Sequence, residues 1–271
     1  MFDERLSTPQ EKTAAVYRSC EIALSKVPEV TLLFWIIKIA ATTVGETGGD
    51  ALSMTMNLGY AVSTVIFFSI FVAVVTAQIL SRAFHPFLYW GVIVATTTAG
   101  TTMADFADRS LGIGYLGGSA VLLTLLVMTL GLWRFSTGSV AVRNITSRKT
   151  EFFYWMTILF SNTLGTALGD FFADSSGLGY QGAAIVFAGA LALLAAVYFF
   201  AQASPTLLFW SAFILTRPLG ATLGDLLTKP VEEGGLNLSR INSSLILAAF
   251  MVGCIWFTSR KSGRHSPARG Y

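Results

Sequence analysis

Charge is scarce in this chain. Only 12% of its 271 residues are Asp, Glu, Lys or Arg, where a soluble domain carries roughly 25%. Hydrophobic residues make up 54% and aromatics 13%. That balance excludes an ordinary solvated surface and predicts an integral membrane protein with the lipid bilayer as its main partner. A net charge of +3 is too small to predict a nucleic-acid partner. Cysteine is nearly absent. Cys20 and Cys254 form neither a metal-binding spacing nor a disulfide framework. The two histidines, His85 and His265, fall outside the apolar stretches, so a soft nitrogen and sulfur metal centre is poorly supplied. No nucleophile–base motif or nucleotide loop is present, so neither an enzyme nor a resident cofactor is expected. The opening MFDERLSTPQEK is polar, and no cleavable signal peptide is expected.

Long apolar runs are what the chain does have. A spanning helix needs about 20 mostly apolar residues. Eight stretches qualify: 30–48, 60–80, 88–107, 115–134, 152–171, 180–200, 207–226 and 241–258. With both termini placed in the cytoplasm, 13 of the 18 Lys and Arg fall in cytoplasmic segments. Arg109, Lys229 and Arg240 fall outside, and Lys38 and Arg217 lie within spans. That bias sets the orientation. The expected organisation is a cytoplasmic amphipathic arm (1–29), two repeats (30–134), a basic cytoplasmic loop (135–151), two more repeats (152–258) and a disordered basic tail (259–271).

The repeats are read directly. The segments from Trp35, Trp90, Trp155 and Trp210 align without a gap on W-x9-G-x4-D-x8-G. Their Gly–Asp pairs are Gly45/Asp50, Gly100/Asp105, Gly165/Asp170 and Gly220/Asp225. Each repeat holds two spans, so the four copies enter the membrane in one direction. The expected fold is therefore all-α, with eight transmembrane helices as four parallel-oriented repeats around a pseudo-symmetry axis along the membrane normal. The pattern resembles a family of bacterial inner-membrane proteins built of four tandem two-helix repeats, each with a signature tryptophan. The likeness covers about residues 30–258. It implies the architecture, the inner-membrane location and the tryptophan signature; the family's function is unknown, so it implies no mechanism.

Helical geometry assigns roles within the motif. Trp to Asp spans roughly 22 Å, which puts the tryptophans near the inner interface and the aspartates toward the outer mouth. The motif glycine and the residue four later are small in every copy, the pattern that lets membrane helices touch. The aspartate lies off that ridge, on a stripe with Thr43, Thr98 and Thr163. Midway lie Thr42, Thr97, Asn162 and Arg217, which are equivalent positions. Pro218 predicts a kink in the last motif helix.

Ionisable groups at membrane depth usually face an interior or a wet cavity. Glu46, Asp50, Asp105, Asp170 and Asp225 give five negative charges, and Lys38 and Arg217 give two positive ones, leaving minus three. Carboxylates, hydroxyls and the Asn162 amide are hard oxygen ligands, suited to Mn²⁺, Mg²⁺, Ca²⁺, Na⁺ or H⁺. The expected function is transport or export of a small inorganic cation, a divalent metal such as Mn²⁺ favoured and proton coupling open, with Glu46, Asp50, Asp105, Asp170, Asp225, Thr43, Thr98, Asn162 and Thr163 as candidate ion-binding residues and the four aspartates as candidate metal ligands. Lys38 and Arg217 are counter-ions or a gate. Two other readings stay open: an anion or polar-metabolite carrier using Arg217 and Lys38, and a non-transporting scaffold or sensor. A homodimer is also open.

Overall fold

The computed structural model describes residues 26–263 except 82, 143, 144 and 146. The expected amphipathic helix of the N-terminal arm lies outside the described residues, as does the tail beyond 263. Among the described residues the chain is all-helical. Its long helices are α1 (Leu32–Asp50), α2 (Gly59–Leu80), α3 (Pro86–Asp105), α4 (Gly114–Thr137), α5 (Arg148–Asp170), α6 (Gly179–Phe200), α7 (Pro205–Thr228) and α8 (Arg240–Gly263). They occupy the eight apolar stretches, with α8 running further into the basic C-terminal segment than expected.

Local chemistry explains the starts. Thr31 caps α1 by accepting from the Phe34 backbone N–H. Ser147 and Thr150 form a capping box at α5. Pro86 and Pro205 open α3 and α7, where a missing N–H costs nothing. The ends are unusual. The motif aspartate closes α1, α3 and α5, and each helix then widens into a five-residue π-helical turn: Ala51–Thr55, Phe106–Ser110 and Phe171–Ser175. The last glycine of the motif has a left-handed backbone in all four copies, with φ of 75° at Gly59, 74° at Gly114, 65° at Gly179 and 84° at Gly234. A side chain is disfavoured there, which explains why the motif ends on glycine. α7 runs as one helix with Pro218 inside it, so the proline does not split it into two half-helices.

The motif helices α1, α3, α5 and α7 form a closed ring: α1 packs on α3, α3 on α5, α5 on α7, and α7 back on α1. The even helices stand outside, each against the motif helix of the following repeat. α2 packs on α3, α4 on α5, α6 on α7, and α8 on α1. Five helices are long and apolar enough to cross a membrane: α2, α4, α6, α7 and Arg240–Ser259 of α8. The even helices are only 11–22% buried over their apolar windows, against 61% for α7. They present an apolar exterior, as lipid contact requires. α1, α3 and α5 carry the polar residues of the motif along their length and are less apolar for that reason.

The small-residue ridge closes the ring. A β-carbon added to Gly45 would strike the Thr97 side chain, one on Gly165 would strike Arg217, and one on Gly220 would strike Thr42. At Gly100 it would lie 3.0 Å from the Thr163 backbone nitrogen and 3.2 Å from the Asn162 carbonyl carbon. Each motif glycine thus receives the mid-depth region of the next motif helix. Lipid tails supply no hydrophobic drive between helices, so this close approach is what binds them.

Candidate functional site

Three polar or aromatic layers stack along the ring axis. The first lies at the tryptophan end. Trp90, Trp155 and Trp210 are buried, with exposures of 4%, 2% and 5%, so they pack inward rather than standing at a lipid interface. The residue before each tryptophan is also aromatic, and it packs on the tryptophan of the next repeat. Phe34 meets Trp90 at 5.3 Å between ring centres, Tyr89 meets Trp155 at 5.5 Å, Tyr154 meets Trp210 at 6.1 Å, and Phe209 meets Trp35 at 5.7 Å. The hydroxyls of Tyr89 and Tyr154 hydrogen-bond at 2.6 Å. This layer seals the axis at that end.

The second layer is cationic and lies at mid-depth. Lys38 is fully buried. Its ammonium donates to Asn162 Oδ1 at 3.2 Å and sits 4.1 Å from the centre of the Phe213 ring. Asn162 Nδ2 donates in turn to Thr96 Oγ1 at 3.0 Å. Arg217 is also fully buried. Its Nη2 donates to Glu46 Oε2 at 2.9 Å, Thr101 Oγ1 at 2.6 Å and Thr166 Oγ1 at 2.5 Å. Its Nη1 reaches the Thr42 carbonyl at 3.4 Å. Glu46, Thr101 and Thr166 are equivalent positions, each following its motif glycine, and Ala221 is the fourth. One side chain therefore gathers the corresponding residues of the other three repeats, and Ala221 leaves room for it.

The third layer holds the motif aspartates, each 2–3% exposed. They gather as two pairs, each bridged by a cation that lies four residues past an aspartate. Arg109 Nε contacts Asp105 at 3.0 Å, and its Nη2 donates to Asp170 at 3.3 Å. Asp174 stands 4.0 Å from the same nitrogen. Lys229 Nζ lies 3.3 Å from Asp50 Oδ2 and 3.3 Å from Asp225 Oδ1. Arg240 Nε is 3.6 Å from Asp50 Oδ2. Burial opposes charge on Lys229, but Asp225 and Asp50 outweigh it and hold the ammonium's pKa above its ordinary value. Burial likewise opposes charge on Arg109, and Asp105 and Asp170 outweigh it, raising its pKa. Both bridges are therefore charged at neutral pH.

The two pairs differ in one respect. Oxygens of Glu46, Asp50 and Asp225 all lie within 4.8 Å of one another. Among the described residues no hydrogen bond reaches Asp50 Oδ2 or Asp225 Oδ1, so the Lys229 contacts are electrostatic and leave both oxygens unsaturated. Above this layer lies a cavity of about 490 Å³, lined by Arg109, Asp174, Tyr180, Lys229, Glu233 and Arg240 among others.

The candidate residues thus divide. Glu46, Asp50 and Asp225 converge. Asp105 and Asp170 meet across Arg109. Lys38 and Arg217 lie between the acids and the aromatic layer. Thr43, Thr98 and Thr163 do not join the carboxylates: their hydroxyls donate to the carbonyls of Ile39, Val94 and Leu159 on their own helices. The axial hydroxyls are instead Thr101 and Thr166, findable from the repeat alignment as the equivalents of Glu46. The charge count changes as well. Arg109, Lys229 and Arg240 join Lys38 and Arg217, so five formal positive charges face Glu46, the four motif aspartates and Asp174, and the cluster stands at minus one instead of minus three.

No curated protein and no solved structure matches the chain. A family model described as a repeat of unknown function (DUF347) matches four times in tandem, over residues 33–84, 88–139, 153–204 and 208–263. Each match takes in one motif helix and the even helix that follows it, so the repeat unit is one member of the ring with one member of the outer layer, and the chain belongs to the DUF347 repeat family.

Proposed function

We propose that this protein carries a small inorganic cation across a membrane, with a divalent ion such as Mn²⁺ as the favoured substrate. The observation behind this reading is the buried carboxylate trio Glu46, Asp50 and Asp225, each with an oxygen within 4.8 Å of the others', in which Asp50 Oδ2 and Asp225 Oδ1 have no hydrogen bond among the described residues. Three hard oxygens at that spacing can draw in around an ion of this class. Carboxylates at that depth also bind protons, which gives the protein a means of exchanging protons for the ion. Eight crossings, with the four repeats oriented alike about an axis along the membrane normal, place the ring at the centre and the apolar outer helices against lipid. The Lys and Arg bias puts both termini in the cytoplasm. The aspartate end and its cavity then face outward, in a bacterial inner membrane. In that state the cation layer and the aromatic layer close the inner half of the path, so transport requires both to move.

Flux of Mn²⁺ into proteoliposomes tests the reading. Glu46→Gln, Asp50→Asn and Asp225→Asn are each expected to reduce flux to background. Undiminished flux in all three sinks it. A second reading, an anion carrier, has its own support in Arg109, Lys229 and Arg240 lining the outer cavity. The same liposomes separate the two: anion flux abolished by Arg217→Gln but insensitive to the three carboxylate changes would select the second.

A further inference from the structure

We infer that Lys229 is a tethered competitor for the cation site, so that an entering ion exchanges places with the Lys229 ammonium. This rests on the cation reading above. Lys229 Nζ occupies the position a bound ion would take, equidistant at 3.3 Å from Asp50 Oδ2 and Asp225 Oδ1. Among the described residues neither oxygen is hydrogen-bonded; the other cation near them is Arg240, whose Nε stands 3.6 Å from Asp50 Oδ2. A Glu46 oxygen is the third of the trio, within 4.8 Å of an oxygen of each aspartate, on a carboxylate that Arg217 holds at 2.9 Å. The ammonium also has somewhere to go. Lys229 lines the outer cavity together with Glu233 and Asp174, two acids that can receive it once it leaves the aspartates. Its flexible stem and point charge suit such a swing, whereas the rigid guanidinium fork of Arg109 suits a clamp. The aspartate layer is thus divided: Asp105 and Asp170 are pinned by a hydrogen-bonded arginine, and Asp50 and Asp225 are bridged by a lysine, with Arg240 as a looser neighbour of Asp50 at 3.6 Å.

The exchange keeps the carboxylates occupied by a cation throughout, with one more positive charge when a divalent ion takes the place of the ammonium. One cation enters the trio as another leaves it, and neither state strands two carboxylates unpaired in a low-dielectric site, which would be costly. Binding is weakened in proportion to how fully Lys229 occupies the site, and that fixes the direction of the test.

The test is calorimetric titration of Mn²⁺ into the purified full chain in detergent. Lys229→Met is expected to bind Mn²⁺ about tenfold tighter or more, because the self-competing state is removed. Asp225→Asn is expected to abolish binding in either background. Lys229→Arg keeps the charge and the ion pairs, which guards against a Lys229→Met protein that fails to fold; it is expected to bind Mn²⁺ several-fold more weakly than the wild type. If the wild type binds Mn²⁺ through Asp225 but Lys229→Met is no tighter, or Lys229→Arg no weaker, the competitor role is overturned and the cation site stands. If neither the wild type nor Lys229→Met binds Mn²⁺, the cation reading falls with it.

Discussion

Replacing Arg217 with methionine is expected to lower stability by about 3–5 kcal/mol, the cost of stranding the partner of a buried ion pair. Glu46 is 3% exposed. Without the guanidinium its nearest remaining hydrogen-bond donor is Thr101 Oγ1 at 3.2 Å. The loss is specific to the pair, because the neutral acceptors are provided for. Thr166 donates to the Asn162 carbonyl on its own helix, and the single Thr101 proton can turn either to Glu46 or to the Thr97 carbonyl. Removing the acid together with the base, as Arg217→Met/Glu46→Leu, is therefore expected to recover most of the loss, since apolar replacement of a whole buried pair is often close to neutral. Chemical or thermal unfolding in detergent over the four-member cycle measures the coupling. A double variant as unstable as Arg217→Met alone would mean that Arg217 acts through its packing in the Gly165 notch and not through charge.

Gly100→Val, on the small-residue ridge, is expected to cost about 3 kcal/mol or more, at the upper end for overpacking. The added β-carbon would meet backbone atoms of Asn162 and Thr163 at 3.0–3.3 Å, and backbone cannot rotate aside as a side chain can. The α3–α5 contact would have to open, and with it the ring. Gly253→Val is the control: it lies in α8 with nothing within 4 Å of the added carbon, and a change there should fall within about 0.5 kcal/mol. Comparing the two by unfolding, and by elution of the folded peak, separates ring packing from the general cost of changing a helical glycine. Equal effects would exclude the ridge as the contact that closes the ring.

What the sequence disclosed follows from how far each signal reaches along the chain. The four motif helices were legible because Trp, Gly and Asp recur at fixed spacing on one helix each, and the glycine ridge follows from helical angles alone. The closure of α7 back on α1 joins residues some 170 apart, which no periodicity records. The aromatic layer was half legible: the tryptophans stand out, but Phe34, Tyr89, Tyr154 and Phe209 become partners only once neighbouring repeats are placed side by side. Arg109 and Lys229 could be placed four residues past an aspartate. That each also spans to the aspartate of the next repeat depends on the ring, and so the charge balance read from helix interiors came out too negative. Thr43, Thr98 and Thr163 show the reverse error, since a threonine on a polar stripe can satisfy itself on its own helix.

Assembly order is a consequence of the same ring. Glu46 and Asp50 emerge early in synthesis, while the cations they meet, Arg217, Lys229 and Arg240, are translated about 170–190 residues later. Until then α1 holds two acids and Lys38 without their final partners, and its outer face is uncovered until α8 arrives. α1 is thus the last member of the ring to be finished, and a chain released before residue 217 leaves Glu46 and Asp50 without any of the cations that balance them.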